Sequence, residues 1–429
     1  MSIKLSTAYL EKNGIRAPNY FNGRLLSAED MTAEQAALRQ TLAQLGRATG
    51  DGIAYGLLVT GPIGGDTVQN PMVTVGAGLA ISRNGTVVEL MQSVDVSLRQ
   101  PDAPGSPAPK SAGGFAACTA LPTSAFPDSS GKGVYLLTIR SAEGREGRAP
   151  ASGLGNIKAC CDDKSIVEGV TFRLILLQIP SENLDDLKLR NRLAHDCFGS
   201  ADPALAGFAA NPFGAPPAGY GLVDKLRDGR LDDDEVPLAL IFWSDTGGTR
   251  FIDLWSVRRR VIRPASPNRW LQGLGDRRAA EKEAMFYQFQ EQAETWATPS
   301  PEVIRALDYF DYLPPAGVLP IGGSPARDGF VDSTFFNGLT TRSKPLYIEG
   351  SRLAAILAMS LYFPPIKLDE GLLIWTYVVR ENQQLTGGTA SAAPILVFTT
   401  GHMPNFGDPR FDVSRWKYAN YYLNAGTLG

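Results

Sequence analysis

The chain has 429 residues, of which 44% are hydrophobic and 20% charged, with a formal net charge of -3. This is ordinary globular composition, with ample apolar material for a core and length for two to four domains of roughly 100–200 residues each. The near-neutral balance does not fit a nucleic-acid binder, which shows a basic surplus or a clustered basic face. The one dense basic run, Arg258, Arg259 and Arg260 followed by Arg263, sits among apolar neighbours in a β-like stretch and reads as a solvated or subunit-facing strand.

The N-terminus, MSIKLSTAYLEKNG, lacks the apolar core of a signal peptide. No run approaches the ~18 apolar residues of a membrane span, and the longest candidate, Leu353 to Phe363, is too short. The expectation is a chain made and folded in the cytoplasm, with no integral membrane segment.

Residues 1–26 read as an extended arm carrying Tyr9-Leu10 and Tyr20-Phe21 between Gly14, Pro18 and Gly23. Ser27 then offers an N-cap, with Asp30 in capping-box position and Glu29 at the positive end of the helix dipole. A helix follows over 28–47, ending near Gly50. Its Met31, Leu38, Leu42 and Leu45 are spaced by seven, four and three and share one face, which Gln35 interrupts. That stripe packs either on its own domain or against a second copy.

Residues 51–97 read as β: Ile53 to Thr60, Val73 to Ile81 and Thr86 to Leu90. The last two flank Arg83-Asn84-Gly85, where Asn-Gly predicts a type I′ hairpin turn. Residues 99–131 are rich in Pro, Ala, Gly and Ser and predict a long loop or linker. Val134 to Ile139 is a strand, 141–156 a Gly-rich polar stretch, and Phe172 to Ile179 an apolar strand. Ser181 to Leu193 predicts a helix capped by Ser181. Another Ala/Gly/Pro loop covers 198–235 and ends in the acidic run Asp232-Asp233-Asp234-Glu235. Val236 to Trp243 reads as a central strand with Phe251 to Ile262 as its partner. An amphipathic helix over 278–297 places Ala280, Met285, Phe286, Phe289 and Ala293 near one face. Beyond Pro299 come a short helix at Glu302–Tyr312 and strands at Pro345–Ile348, Leu372–Arg380 and Pro394–Thr400. An aromatic tail closes the chain: Phe406, Phe411, Trp416, Tyr418, Tyr421 and Tyr422.

The expected fold is α+β, β-rich and multi-domain. An N-terminal arm and helix span 1–48, a β-rich central domain with long loops and a closing helix spans 49–299, and a sandwich-like C-terminal β domain spans 300–429.

The inventory of reactive groups is thin. Two histidines, His195 and His402, leave few options for a triad, and neither Gly-x-Ser-x-Gly nor a P-loop is present. Gly61-Pro62-Ile63-Gly64-Gly65 precedes strands and so offers no helix N-terminus to a phosphate. Cys160, Cys161, His195 and Cys197 could be weighed as a zinc set, but adjacent cysteines present sulfurs less well than a C-x-x-C turn. Together with Cys118 they read as free thiols or a late disulfide. The acidic run 232–235 lacks the alternation and glycine of a calcium loop and reads as a solvated turn. No catalytic, cofactor or metal site is expected. The abundant material is hairpins, long loops and aromatic-tipped strands, which make surface contacts.

Residues 17–31, Ala-Pro-Asn-Tyr-Phe-Asn-Gly-Arg-Leu-Leu-Ser-Ala-Glu-Asp-Met, resemble the segment that opens a group of structural and accessory proteins of contractile phage tails and phage-tail-like injection systems. The resemblance continues through Glu34-Gln35, the 52–59 segment and the 73–85 stretch, and reappears around 236–240, 252–253, 258–259 and 313–317. It implies a baseplate, cage, fibre or accessory component, a homo-oligomer assembled with other particle proteins in the cytoplasm, in a particle that can be released from the cell. The residues expected to make the assembly contacts are Tyr20, Phe21, Leu25, Leu26, Met31, Leu38 and Leu42. The absence of repetitive shaft segments speaks against a receptor-binding fibre. A carbohydrate- or receptor-binding module built on the C-terminal aromatics is the alternative, with a surface glycan or receptor as its partner. A hydrolase using paired carboxylates ranks third.

Overall fold

The computed structural model describes residues 12, 14–67, 71–98, 132–150, 161–199, 213, 219, 221–244, 246–263, 275–297, 304–321, 330–341, 346–348, 350, 353–360, 363–379 and 395–400. The loop at 99–131, Cys118, Cys160, His402 and the C-terminal aromatics lie outside them. The fold is α+β, β-rich and multi-domain, as expected.

The first helix, α1 (Ala28–Thr49), begins at the expected cap. The Ser27 side chain accepts from the Asp30 backbone, and the Asp30 carboxylate accepts from the Ser27 backbone N–H. Six short strands follow: β1 (Gly52–Gly56), β2 (Val59–Thr60), β3 (Met72–Val75), β4 (Gly78–Ile81), β5 (Val87–Leu90) and β6 (Val94–Ser97). They form two antiparallel three-stranded sheets, ordered β1-β4-β5 and β2-β3-β6. The long strands expected at 53–60 and 73–81 are each broken once. Leu57 sits at φ 52°, a left-handed backbone where a strand cannot continue. The 83–85 turn also differs from expectation. Gly85 takes positive φ but Asn84 does not, and the Gly85 N–H donates to the Ser82 carbonyl. This is a type I turn followed by a left-handed glycine, the three-residue solution rather than type I′.

The central sheet has the order β10-β9-β7-β8, from β7 (Gly133–Pro150), β8 (Cys161–Leu176), β9 (Val236–Ser244) and β10 (Gly248–Asp253). Alternate residues on β7 serve two cores. Tyr135, Leu137 and Ile139 face the small sheets beside Val59, Val75 and Val88. Val134 and Leu136 face a helical layer that includes Leu189, Leu193 and Leu226. The sheet is thus buried on both faces, which explains the near-continuous apolar run of β9.

Two readings change here. The stretch read only as Gly-rich and polar at 141–156 is strand as far as 150, because β7 pairs with β8 from Tyr135↔Leu176 out to Pro150↔Cys161. Only 133–139 also pairs with β9, so the outer part is a two-stranded ribbon. Nothing apolar is needed on either of its faces. The Ser181–Leu193 helix is also shifted. A single 3-10 turn occupies Ser181–Asn183, and the helix proper, α2, runs Leu189–Phe198 without a side-chain cap. Helix α3 (Gly221–Leu226) packs beside it.

Helix α4 (Asp276–Ala297) joins two regions. Ala284 and Met285 pack on Ala194 and Phe198 of α2, while Phe289 and Ala293 enter the core of the C-terminal sheet. That sheet has the order β12-β16-β15-β13, from β12 (Ala316–Pro320), β13 (Leu346–Ile348), β15 (Trp375–Val379) and β16 (Ile395–Thr399). The ribbon β11 (Tyr312–Leu313) with β14 (Ile366–Lys367) lies beside it. Helix α4 covers one face through Val378, Leu396 and Phe398. Helix α7 (Leu353–Ser360) covers the other through Ile356 against Tyr377, Val379 and Val397. In the described residues, helices occupy the places a second sheet of a sandwich would take. Two further one-turn helices, α5 (Ala306–Tyr309) and α6 (Asp332–Phe335), complete the layer; the first is what remains of the helix expected at 302–312.

Two side-chain amides tie these layers together by imitating a strand. Gln290 of α4 donates to the Val318 carbonyl and accepts from the Val318 N–H, both at 2.9 Å, which caps the open edge of β12. Asn191 of α2 does the same for the next segment. It accepts from the N–H groups of Asp311 and Tyr312 at 2.9 and 3.1 Å and donates to the Tyr312 carbonyl at 2.9 Å.

Candidate functional site: the arm and first helix

Apolar residues placed along a helix at i, i+3, i+4 and i+7 are normally the face that packs inward. In α1 they are not. Met31 is 48% exposed, Leu38 61%, Leu42 56% and Leu45 64%, and the only buried residues of the helix are Ala37 and Gly46. At 3.6 residues per turn the four side chains fall within about 60° of one another. The stripe therefore runs along the helix as one uncovered seam.

The arm extends the same patch. Tyr20, Phe21, Leu25 and Leu26 are all exposed, Leu25 at 92%. The arm is held by polar contacts: Arg24 pairs with Asp30 and donates to the Asn19 carbonyl, and the Tyr20 hydroxyl donates to Glu34. Those bonds fix the chain path while leaving its apolar side chains in water. All seven residues expected to make assembly contacts thus lie on one continuous stretch of chain, all exposed.

What anchors α1 is small. Gly46 lies against the turn at Gly85, so close that a Cβ on Gly46 would stand 2.1 Å from the Gly85 carbonyl oxygen. Arg39 reaches Glu143 on the β7–β8 ribbon at 2.6 Å. Among the described residues the body grips the helix through backbone contact and one exposed ion pair, and leaves its leucines exposed.

A heptad register emerges in which Gln35 is part of the pattern rather than an interruption of it. With Met31, Leu38 and Leu45 at d positions, Leu42 and Gln35 fall at a positions. Glu34 and Arg39 then fall at g and e. A polar residue at one a position and opposite charges at g and e are the usual devices for fixing register between two helices.

The remaining candidates do not converge on chemistry. His195 is buried and stacked on Tyr312, with ring centroids 3.5 Å apart and planes 7° from parallel. Its Nε2 has no partner among the described residues, and burial holds its pKa down to about 4. Cys197 is buried and its thiol is pushed well up by that burial. No group of three potential metal ligands comes together among the described residues. In the acidic run, Glu235 departs from the expected solvated turn. Its side chain is fully buried and accepts from Thr138 Oγ1 at 3.1 Å, Arg173 Nε at 2.7 Å and the Asp232 N–H at 2.9 Å. The dense basic run is solvated only in part and is not a continuous strand: the side chains of Arg260 and Arg263 are exposed. Arg258 is buried and donates to the Leu57 and Gly56 carbonyls, where the chain leaves β1. No helix of the described residues is long and apolar enough to cross a membrane.

No family model matches the chain, and no curated protein matches it. Among solved structures it is similar to a chain described as "Crystal structure of TssK", at 9% identity and a TM-score of 0.20. The match covers 48% of this chain and 51% of that one, so the chain spans about half the length of that protein. A likeness of this size carries neither a fold nor a role across.

Proposed function

We propose that this chain is a structural, non-catalytic subunit of a contractile injection particle or contractile phage tail, a baseplate, cage or accessory part that assembles through its arm and α1. The observation that carries the reading is the uncovered seam of α1 and the arm. Soluble monomers rarely expose a contiguous apolar patch of this kind, and such patches mark association sites. The resemblance of residues 17–90 to particle components supports the same reading and names the setting.

The occupant we commit to is α1 of a second copy, aligned in parallel. In that register Glu34 of one helix meets Arg39 of the other at facing g and e positions, and the Gln35 side chains meet across the seam. Arg39 gives up only the exposed pair with Glu143 to do so, which costs little. Light scattering of the full chain at rising concentration tests this. A defined multimer is expected, reduced to monomer by Leu38→Gln with Leu42→Gln at unchanged melting temperature. A wild-type chain that stays monomeric at every concentration rules out the second copy as occupant. Removal of residues 1–26 should leave a folded chain that no longer assembles; loss of folding would show the arm to be part of the core.

A further inference from the structure

Seven segments of the chain converge on a cleft of about 390 Å³ beside the C-terminal end of α1. Six arginines line it among the described residues: Arg47, Arg83, Arg227, Arg259, Arg263 and Arg277. Four carboxylates face them, those of Asp51, Asp224, Glu235 and Glu281. Two of the four are already engaged by arginines outside the lining. Glu235 belongs to Arg173, and Glu281 also pairs with Arg278 at 2.8 Å. Asp224 is shared between Arg83 at 3.2 Å and Arg277 at 2.6 Å. Two of the arginines likewise pair outside the lining, Arg227 with Asp233 at 3.2 Å and Arg263 with Asp276 at 3.7 Å, so the excess is that of six lining arginines over four carboxylates.

Arg227 shows where the excess is felt. Its side chain is 11% exposed. Nη1 is satisfied by the Asp232 carbonyl at 2.9 Å and the Asp233 carboxylate at 3.2 Å. Nε is buried with no partner among the described residues, and no bond is made there by Nη2. Nε is closed off from the cleft, so Nη2 is the donor of this guanidinium left for an oxyanion. A buried donor left unmade costs about 1–3 kcal/mol, which adds to the unfavourable setting of this guanidinium. Burial, and then the charge of Arg83, disfavour the charged form of Arg227, and an anion in the cleft would relieve both. Arg47, on the exposed last turn of α1, makes no ion pair among the described residues and stands at the rim.

The geometry points to a binding site for a small multivalent oxyanion in this cleft, gripped by Nη2 of Arg227 with Arg83 and Arg47 completing its charge. The volume lies within the about 300–1,000 Å³ typical of small-molecule sites. Phosphate and carboxylate groups share the required chemistry, so both are probed.

The test is calorimetric titration of the full-length chain with sodium pyrophosphate and with citrate, at ionic strength held constant with sodium chloride. Saturable binding is expected with at least one of the two. Pyrophosphate alone assigns a phosphoryl ligand, citrate alone a carboxylate one. Arg227→Gln should weaken binding at least about tenfold, the equivalent of one lost charge-assisted bond. Arg47→Gln, at an exposed position that holds no fold contact, should also weaken it and serves if Arg227→Gln does not fold. Arg250→Gln, outside the cleft, should bind as wild type. The proposal is overturned if neither anion binds saturably, or if Arg47→Gln and a folded Arg227→Gln both keep wild-type affinity.

Discussion

The junction between the central sheet and the C-terminal region carries two groups whose titrations oppose each other, and removing one should expose the other. His195, stacked on Tyr312, is held at a pKa of about 4 by burial, against an ordinary value of 6.5. The unfolded chain takes up a proton there first, so stability is lost as pH falls through 6.5 towards 4. Between pH 8 and pH 5 the loss is about 2 kcal/mol. Glu291, which pairs with Arg190 at 3.1 Å, is raised by burial from 4.5 to about 7. There the folded state takes up the proton first, so stability is gained as pH falls through 7. The gain over the same interval is also about 2 kcal/mol, after allowing for the partial exposure of its side chain. In wild type the two nearly cancel. Urea denaturation followed by tryptophan fluorescence at pH 8 and pH 5 separates them, because a substitution's fixed cost drops out of the difference. His195→Gln should gain about 2 kcal/mol on going to pH 5 relative to wild type, and Glu291→Gln should lose about as much. If His195→Gln and wild type run parallel within about 0.5 kcal/mol across that interval, His195 is not buried as neutral imidazole and the account of the junction fails.

Three further outcomes follow from single contacts. Glu235→Gln places an amide N–H among the donors of Thr138, Arg173 and Asp232, and should cost about 3–5 kcal/mol in a denaturant titration. Gly46→Ala improves intrinsic helix propensity by about 1 kcal/mol. It also drives a methyl into the Gly85 carbonyl, so α1 should undock and become sensitive to limited proteolysis; unchanged protection would mean the helix shifts freely on its support. Gln290→Ala removes both bonds to Val318 and should cost about 1–3 kcal/mol, read in the same titrations, because a buried strand edge then loses its partners.

Local signals made much of this fold legible. Ser27 with Asp30 marked the start of α1, and the run Val236–Trp243 marked a strand buried on both faces. The failures share a cause: a partner distant in sequence decided the local state. Residues 141–150 look only Gly-rich and polar until β8 is placed opposite, and Glu235 looks solvated until Arg173, 62 residues away, closes over it. Ser181 carries a good capping side chain, yet the following turn is spent packing Leu184 under the sheet and the helix begins later, at Leu189. The seven arm and helix residues could be named from sequence, but spacing could not say whether they faced inward or outward. Nor did any local pattern reveal the arginine cleft, whose lining is drawn from residues 47 to 281.

The comparison of α1 with α4 is the strongest argument that the exposed seam is built for a partner. Both helices have 22 residues and both carry an apolar stripe. In α4 the stripe is buried along most of its length: Ala280, Met285, Phe289 and Ala293, with Ala284 beside them, are each 8% exposed or less, while Phe286 is half-buried. It is pinned at both ends, by α2 and by the C-terminal sheet, and Gly317 lacks a side chain where the rings of Phe398 and Phe289 close in. The fold therefore covers a long amphipathic helix where the contact lies within one chain. On α1 it spends its closest contact on Gly46, on the flank of the helix, and turns the leucines outward. Covering the four side chains of the stripe and the arm's Phe21, Leu25 and Leu26 would bury several hundred square ångströms at about 25 cal/mol per Å², a driving force of several kcal/mol per copy before the cost of association.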